Sequence, residues 1–235
     1  MLKRLNWLFW ETLIIVLGVL IALSVNDYWT DAQERKLELD YLKRMRVDIE
    51  ADLAAAEWNL SERLVRKLAA LDAVAPVVRG ESPVPEDIES FLIEVSLGAI
   101  GGVSPSKWVT STTFEDLTVT GNLRLIRDAE IRRTITEYYR SADDFVSRQR
   151  ARVTDYHRYL HSFLPGELRE NLTFPAMQSF GAERALSAIL APEFEALMNQ
   201  EYNFAWFKIS AIESQRDAAS SLMETLDAYI KTLEE

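Results

Sequence analysis

The chain has 235 residues, no cysteine, and a net charge of −11 from 26 basic and 37 acidic side chains. Disulfides, thiolate metal centres and cysteine nucleophiles are therefore excluded. An acidic body repels phosphate backbones, so nucleic acid is not an expected partner. The 48% hydrophobic content supports a packed core, and 8 Gly and 7 Pro are few for a turn-rich β protein. The longest stretches free of both, Val19–Ala75 and Asn122–Leu164, point to long helices.

Residues 1–4 form a short tail. Residues 5–26 are expected to make one transmembrane helix. Leu5 to Val25 carries a single charge, Glu11, and at ~1.5 Å per residue it reaches about 31 Å, the thickness of a hydrocarbon core. Trp7 and Trp10 mark one rim, Tyr28 and Trp29 the other, as an aromatic belt requires. Two readings compete. One is a cleavable signal peptide, against which Leu23 interrupts the small-residue cleavage pattern. The other is a buried soluble helix, against which Thr12 to Val25 lacks a polar stripe. Lys3 and Arg4 precede the span, while Asp27 and Asp31 follow it. The positive-inside bias then places the tail in the cytoplasm and residues 27–235 outside. That topology is a single-pass signal-anchor protein with its bulk outside, which in a Gram-negative cell is the periplasm.

Beyond Trp29 one helix is expected to about Ala75, with an apolar stripe of Leu42, Met45, Ile49, Leu53, Ala56, Leu60, Leu64, Leu68 and Leu71. Its mean step is that of a straight helix. Val77 to Pro85 reads as a loop. Pro85 opens a short helix to about Leu97, with Glu86 and Asp87 in its first turn. Gly98, Gly101, Gly102 and Pro105 mark a second loop. Thr112 and Glu115 suggest a capping box for another short helix, closed by Gly121. Asp128 is expected to cap a third long helix whose stripe, Ile131, Ile135, Tyr138, Ala142, Phe145, Val153, Tyr156 and Leu160, runs to Pro165-Gly166. A mixed segment follows from Glu167 to Ala191. Pro192 then starts a last helix to about Leu233. No run alternates with period two. The expected fold is all-α: the membrane helix continues into an elongated up-down bundle of three long helices and several short ones.

Two stretches carry a resemblance. One is Glu11-Thr-Leu-Ile-Ile-Val-Leu-Gly18-Val-Leu-Ile-Ala-Leu with Trp29, Tyr41-Leu42 and Asp48-Ile-Glu-Ala-Asp-Leu53. The other is Phe114-Glu-Asp-Leu117, Gly121-Asn-Leu-Arg-Leu-Ile126 and Tyr138-Tyr139. Together they resemble an uncharacterised family of small bacterial membrane proteins with one N-terminal membrane helix and a helical extracytoplasmic region. The resemblance implies that topology and a cytoplasmic N-terminus; it implies no activity.

Four residues of the span form a candidate interaction face. Glu11 is a carboxylate in an apolar segment, costly unless it pairs, relays protons or reaches the headgroups. Gly18 and Ala22 are a small-xxx-small pair, and Asn26 continues their face, so a second membrane helix could approach there. His157 and His161, at i and i+4, have zinc-compatible spacing but no third ligand nearby in sequence. Metal and cofactor are accordingly not expected. Tyr202, Phe204, Trp206 and Phe207 read as core. Nothing resembles a phosphate-binding loop or a nucleophile elbow.

The expected role is a non-enzymatic, membrane-anchored helical module for protein–protein interaction or scaffolding at the cell envelope. Its partners would be the lipid bilayer and, through the span, a second copy or another membrane protein. The alternatives are an extracytoplasmic sensor subunit signalling through a partner membrane protein, and an ion-coupled membrane subunit using Glu11.

Overall fold

A computed structural model describes residues 2–99, 109–150, 154–163 and 182–235. Helix α1 spans Leu2–Trp58, a π-helical turn Asn59–Leu64 follows, and α2 spans Val65–Val78. The others are α3 (Ile88–Leu97), α4 (Thr112–Val119), a 3₁₀ turn (Asn122–Leu125), α5 (Ala129–Arg150), α6 (Asp155–Phe163), α7 (Ala182–Ile189) and α8 (Pro192–Glu234). No strand occurs among the described residues, so the fold is all-α.

The α1–α2 rod and α8 run antiparallel, as three cross-links show. Lys43 meets Glu234 at 2.6 Å, Arg46 meets Asp227 at 2.7 Å, and Lys67 pairs with Glu201. Among the buried positions on α8, Met198, Glu201, Ala205, Lys208, Ile212, Gln215, Ala219, Leu222 and Leu226 form a row. They step by three and four in turn, the spacing of a two-stranded coiled-coil seam. On the rod the buried residues Leu42, Met45, Ile49, Asp52, Ala56 and Asn59 form a row with the same steps. The next buried residue is Leu64, five positions on. The π-helical turn takes up that extra residue and brings Lys67 back onto the seam.

This corrects the expected stripe. Leu53 and Leu60 are only half-buried, whereas the polar Asp52 and Asn59 take the seam positions beside them. A straight-helix period fits a mean over the rod, but the structure divides it into two 3.5-period halves joined by a wider turn.

Two apolar cores flank the seam. The core nearer the N-terminal end of the rod joins Leu42, Met45 and Ile49 of α1 to Leu117, Ile126, Ile135 and Tyr138, and to Leu222 and Leu226 of α8. The distal core joins Leu71 and Val74 of α2 to Leu92, Val95, Tyr156 and Leu160, and to Phe194 and Met198 of α8. Phe114 stacks on Tyr139 with centroids 4.4 Å apart, which fixes α4 against α5.

Several ends differ from expectation. Helix α2 runs on to Val78 with Pro76 inside its last turn, where the proline removes one intrahelical hydrogen bond and only two helical residues follow it. Helix α3 starts at Ile88, later than Pro85. Its N-cap is Asp87, which accepts from the Ser90 amide at 3.0 Å and from the Ser90 hydroxyl at 2.7 Å. Ser111, not Thr112, is the N-cap of α4, and its hydroxyl bonds Glu115. Gly121 does follow α4 in the left-handed region, at φ +72. Asp128 caps α5 as expected, accepting from the Glu130 and Ile131 amides at 2.8 and 3.0 Å. The third long helix, however, is two. Helix α5 ends at Arg150 and α6 begins at Asp155, with the Thr154 hydroxyl accepting from the His157 amide at 3.3 Å. Val153, Gly101, Gly102, Pro105, Pro165 and Gly166 lie outside the described residues, as does most of the mixed segment.

Gly98 closes α3 where no side chain fits. A Cβ there would meet Leu71 Cδ2 at 2.8 Å and the Tyr156 hydroxyl at 2.9 Å. Gly98→Ala is expected to cost about 1–3 kcal/mol through that overlap, read as a lowered unfolding midpoint. An unchanged midpoint would show that the distal core yields freely.

Candidate functional site

Four features stand out, in order from the N-terminal end of the rod. Along Leu13–Trp29 nearly every side chain is exposed, and none of the apolar window is covered by the rest of the described chain. A soluble core helix would be mostly buried, and this one is not buried among the described residues. A Cβ built on Gly18 meets nothing within 4 Å, so the Gly18, Ala22 and Asn26 face is bare. The hydroxyls of the segment are satisfied locally: Ser24 donates to the Leu20 carbonyl at 2.8 Å and Thr30 to the Asn26 carbonyl at 3.0 Å. Glu11 lies in α1, but its side chain falls outside the described residues. The structure thus keeps Gly18, Ala22 and Asn26 exposed on one helix, and none of the described residues covers them.

Just above Trp29, a strap ties the body to the rod. The Arg127 guanidinium donates to Asp31 Oδ1 at 2.5 Å and approaches Glu34 at 3.9 Å. It holds the Asp31 carboxyl below its ordinary range. The Arg127 amide and the Tyr229 hydroxyl both donate to Glu38 Oε1, at 2.7 and 2.8 Å, so Glu38 is buried and clamps three elements.

Midway up, α1 holds the start of α4. Asp48 Oδ2 accepts from the Thr113 amide at 3.1 Å, and Asp52 Oδ1 from the Thr110 amide at 2.6 Å. These carboxylates act on unpaired amides at a helix N-terminus, in trans. The Tyr138 hydroxyl donates to Asp52 Oδ2 at 2.8 Å. Burial pushes Asp52 up to about 6, against the donors from Thr110 and Tyr138 that favour its ionised form. The two stretches that carry the family resemblance therefore meet here: Tyr41, Asp48 and Asp52 face Phe114, Asn122, Tyr138 and Tyr139. Comparison of the chain with protein-family models, with curated proteins and with solved structures finds no match.

In the distal seam, Lys67 and Glu201 are fully buried and paired. Lys67 Nζ also donates to the Gly98 carbonyl at 2.6 Å, fastening the end of α3. Glu201 Oε2 has no hydrogen-bond partner. Burial pushes the Lys67 ammonium down while Glu201 opposes the shift. About two turns on along α8, burial and then the charges of Lys67 and Arg63 bring Lys208 down to about 8. Its ammonium lies 4.8 Å from the centroid of the Phe204 ring.

The aromatic group on α8 divides. Phe204 is buried and Tyr202 half-buried, donating to Asp72 Oδ1 at 2.6 Å. Trp206 is 60% exposed and Phe207 41%. Those two are not core, because consecutive residues of a helix face different directions and the seam takes Ala205 and Lys208. His157 is half-buried on α6, and the His161 side chain is outside the described residues. No cluster of metal-ligating side chains occurs among the described residues. The buried Lys67, Glu201, Lys208 and Asp52 were not anticipated. A signal was present: each stands three or four residues from an apolar seam residue, in a slot where an apolar side chain is the rule.

Proposed function

We propose that this chain is a non-catalytic helical module anchored in a bacterial inner membrane. Its tail of residues 1–4 is cytoplasmic and its body, residues 27–235, stands outside, presented to a partner protein. The reading rests on one observation: an apolar helix that nothing in the described chain covers continues without a break into the folded body. Such a surface in water would be an extreme apolar patch, whereas lipid satisfies it. The Asp31–Arg127 clamp so close to the aromatic rim ties the body to the rod next to the bilayer surface. Within the body the buried charges bond one another across the seam, a use that sets register. The outward Trp58, Trp206 and Phe207 leave apolar surface for a partner. The topology agrees with that implied by the family resemblance.

A second reading, a sensor subunit signalling through a partner membrane protein, draws on a groove of about 450 Å³ beside α8. The ion-coupled reading rests on Glu11 alone.

The anchoring is tested with the intact chain. Washed with alkaline carbonate, membranes should retain it. Leu17→Asp with Leu20→Asp changes only exposed side chains, and each aspartate costs about 2.5–3.5 kcal/mol near the centre of a span. The double variant should leave the membrane with its helical content intact. Recovery of the unaltered, uncleaved chain in the soluble fraction would refute the reading.

A further inference from the structure

Opposite the seam, α1 carries a second row that the described chain leaves open. Val47 is 61% and Trp58 53% exposed, and Ala51 and Ala54 between them are exposed as well. On a helix that packs by one face, the other face is the usual place for charge. Here Arg44, Glu50 and Glu57 flank the row instead of standing in it.

The row is in phase with the span. Helix α1 is unbroken from Leu2 to Trp58, and a helix of ~3.6 residues per turn returns to one direction after about eighteen residues. Trp29 and Val47 are that far apart and define one line along the rod. Gly18, Lys36 and Ala54 repeat at the same interval, about 20° to one side of the line. Ala22, Asp40 and Trp58 repeat about 20° to the other side. All of these residues are exposed.

A face of this pattern matches itself. About a two-fold axis parallel to the rods, the Gly18, Lys36 and Ala54 side of one helix meets the Ala22, Asp40 and Trp58 side of the other. Glycine then lies on alanine, which lets two spans approach closely. Lysine lies beside aspartate, whose carboxylate also meets Arg44 of its own helix at 3.2 Å. The Trp58 indole covers the small Ala54, and a centrally buried tryptophan is where binding energy concentrates. We propose that two copies of this chain associate as parallel rods through this face, from Gly18 in the span to Trp58 in the body. The pairing rests on the anchoring reading, since a shared bilayer holds two copies parallel and at one height.

The chain has no cysteine, so single introduced cysteines report contact cleanly. In membranes oxidised with copper phenanthroline, Val47→Cys is expected to give a disulfide-linked dimer, because the two positions meet on the axis. Val119→Cys, at a position 87% exposed on α4, is the control and should stay monomeric. In the Val47→Cys background, Asp40→Lys brings like charges together and should cut the dimer yield about tenfold. Adding Lys36→Asp restores opposite signs and should restore the yield. Trp58→Ala should lower it too, with circular dichroism unchanged. Carbonate washing separates the pairing from the anchoring. If the chain stays in the washed membranes and Val47→Cys dimerises no more than the control, the pairing alone is refuted. A soluble chain refutes the anchoring reading and the pairing with it. A cross-linked product with another protein, or a yield indifferent to both charge changes, would also overturn the proposal.

Discussion

Lys67→Met is expected to lower the unfolding free energy of the intact chain by about 3–5 kcal/mol, the usual cost of leaving one member of a buried ion pair without its partner. The reason lies in Glu201. Its side chain is fully buried, one carboxylate oxygen pairs with Lys67, and the other has no partner. Without the ammonium, a carboxylate in the seam must either remain charged in an apolar setting or take up a proton. The Gly98 carbonyl loses its donor as well. Lys67→Met combined with Glu201→Met should recover most of the loss, because two apolar side chains of similar length fill the same slot. Denaturant unfolding of the unaltered chain, Lys67→Met, Glu201→Met and the double variant gives the coupling directly. If the single variant matches the unaltered chain, or if the two losses simply add, the pair is not the distal lock described above.

Asp52→Asn should act in the opposite direction, and its effect should depend on pH. The folded Asp52 sits at about 6, against about 3.9 for an unperturbed aspartate. The folded state therefore binds a proton more tightly than the unfolded state. Its contribution to stability is fully present below about pH 3.9 and is lost as pH rises through about 6. Roughly two pKa units correspond to about 3 kcal/mol. Asparagine keeps an acceptor for the Thr110 amide and offers a donor to the Tyr138 oxygen, with no charge to desolvate. Relative to the unaltered chain, the variant should gain up to about 3 kcal/mol between pH 4 and pH 7.5, with the change concentrated between the two pKa values. A stability difference that is flat across that window would mean that the Asp52 charge is not desolvated in the folded protein.

These two residues also show why part of the molecule was readable in the sequence and part was not. Helix α8 was legible from Pro192 onward because a proline at the first helical position and an unbroken apolar period are local signals. Asp128 was legible as a cap because it bonds amides two and three residues away. Asp48 and Asp52 also serve a helix N-terminus, but one that arrives from about sixty positions downstream. No local rule reaches that far. Lys67 and Glu201 read as ordinary surface charges until the antiparallel pairing sets them opposite each other. The π-helical turn was hidden for a related reason: an apolar period averaged over the whole rod conceals a single extra residue, and only the phase of the partner helix exposes it. Of the candidate face in the span, Gly18, Ala22 and Asn26 could be placed on one side from spacing alone. What would meet them is not encoded in that spacing.

By itself, then, the order of residues determined the helical class, the apolar N-terminal segment and the starts of α5 and α8. Each of these follows from hydrophobic period, backbone restriction and hydrogen bonds that close within one turn. Only the tertiary structure decided which polar side chains are buried, where the rod changes phase, and that α5 and α6 are separate helices. It also decided which of the α8 aromatics are core. Those outcomes depend on the phase of one helix against another, and that phase is set by side chains far apart in the chain that must fill the same interior without leaving a charge or a void unmatched.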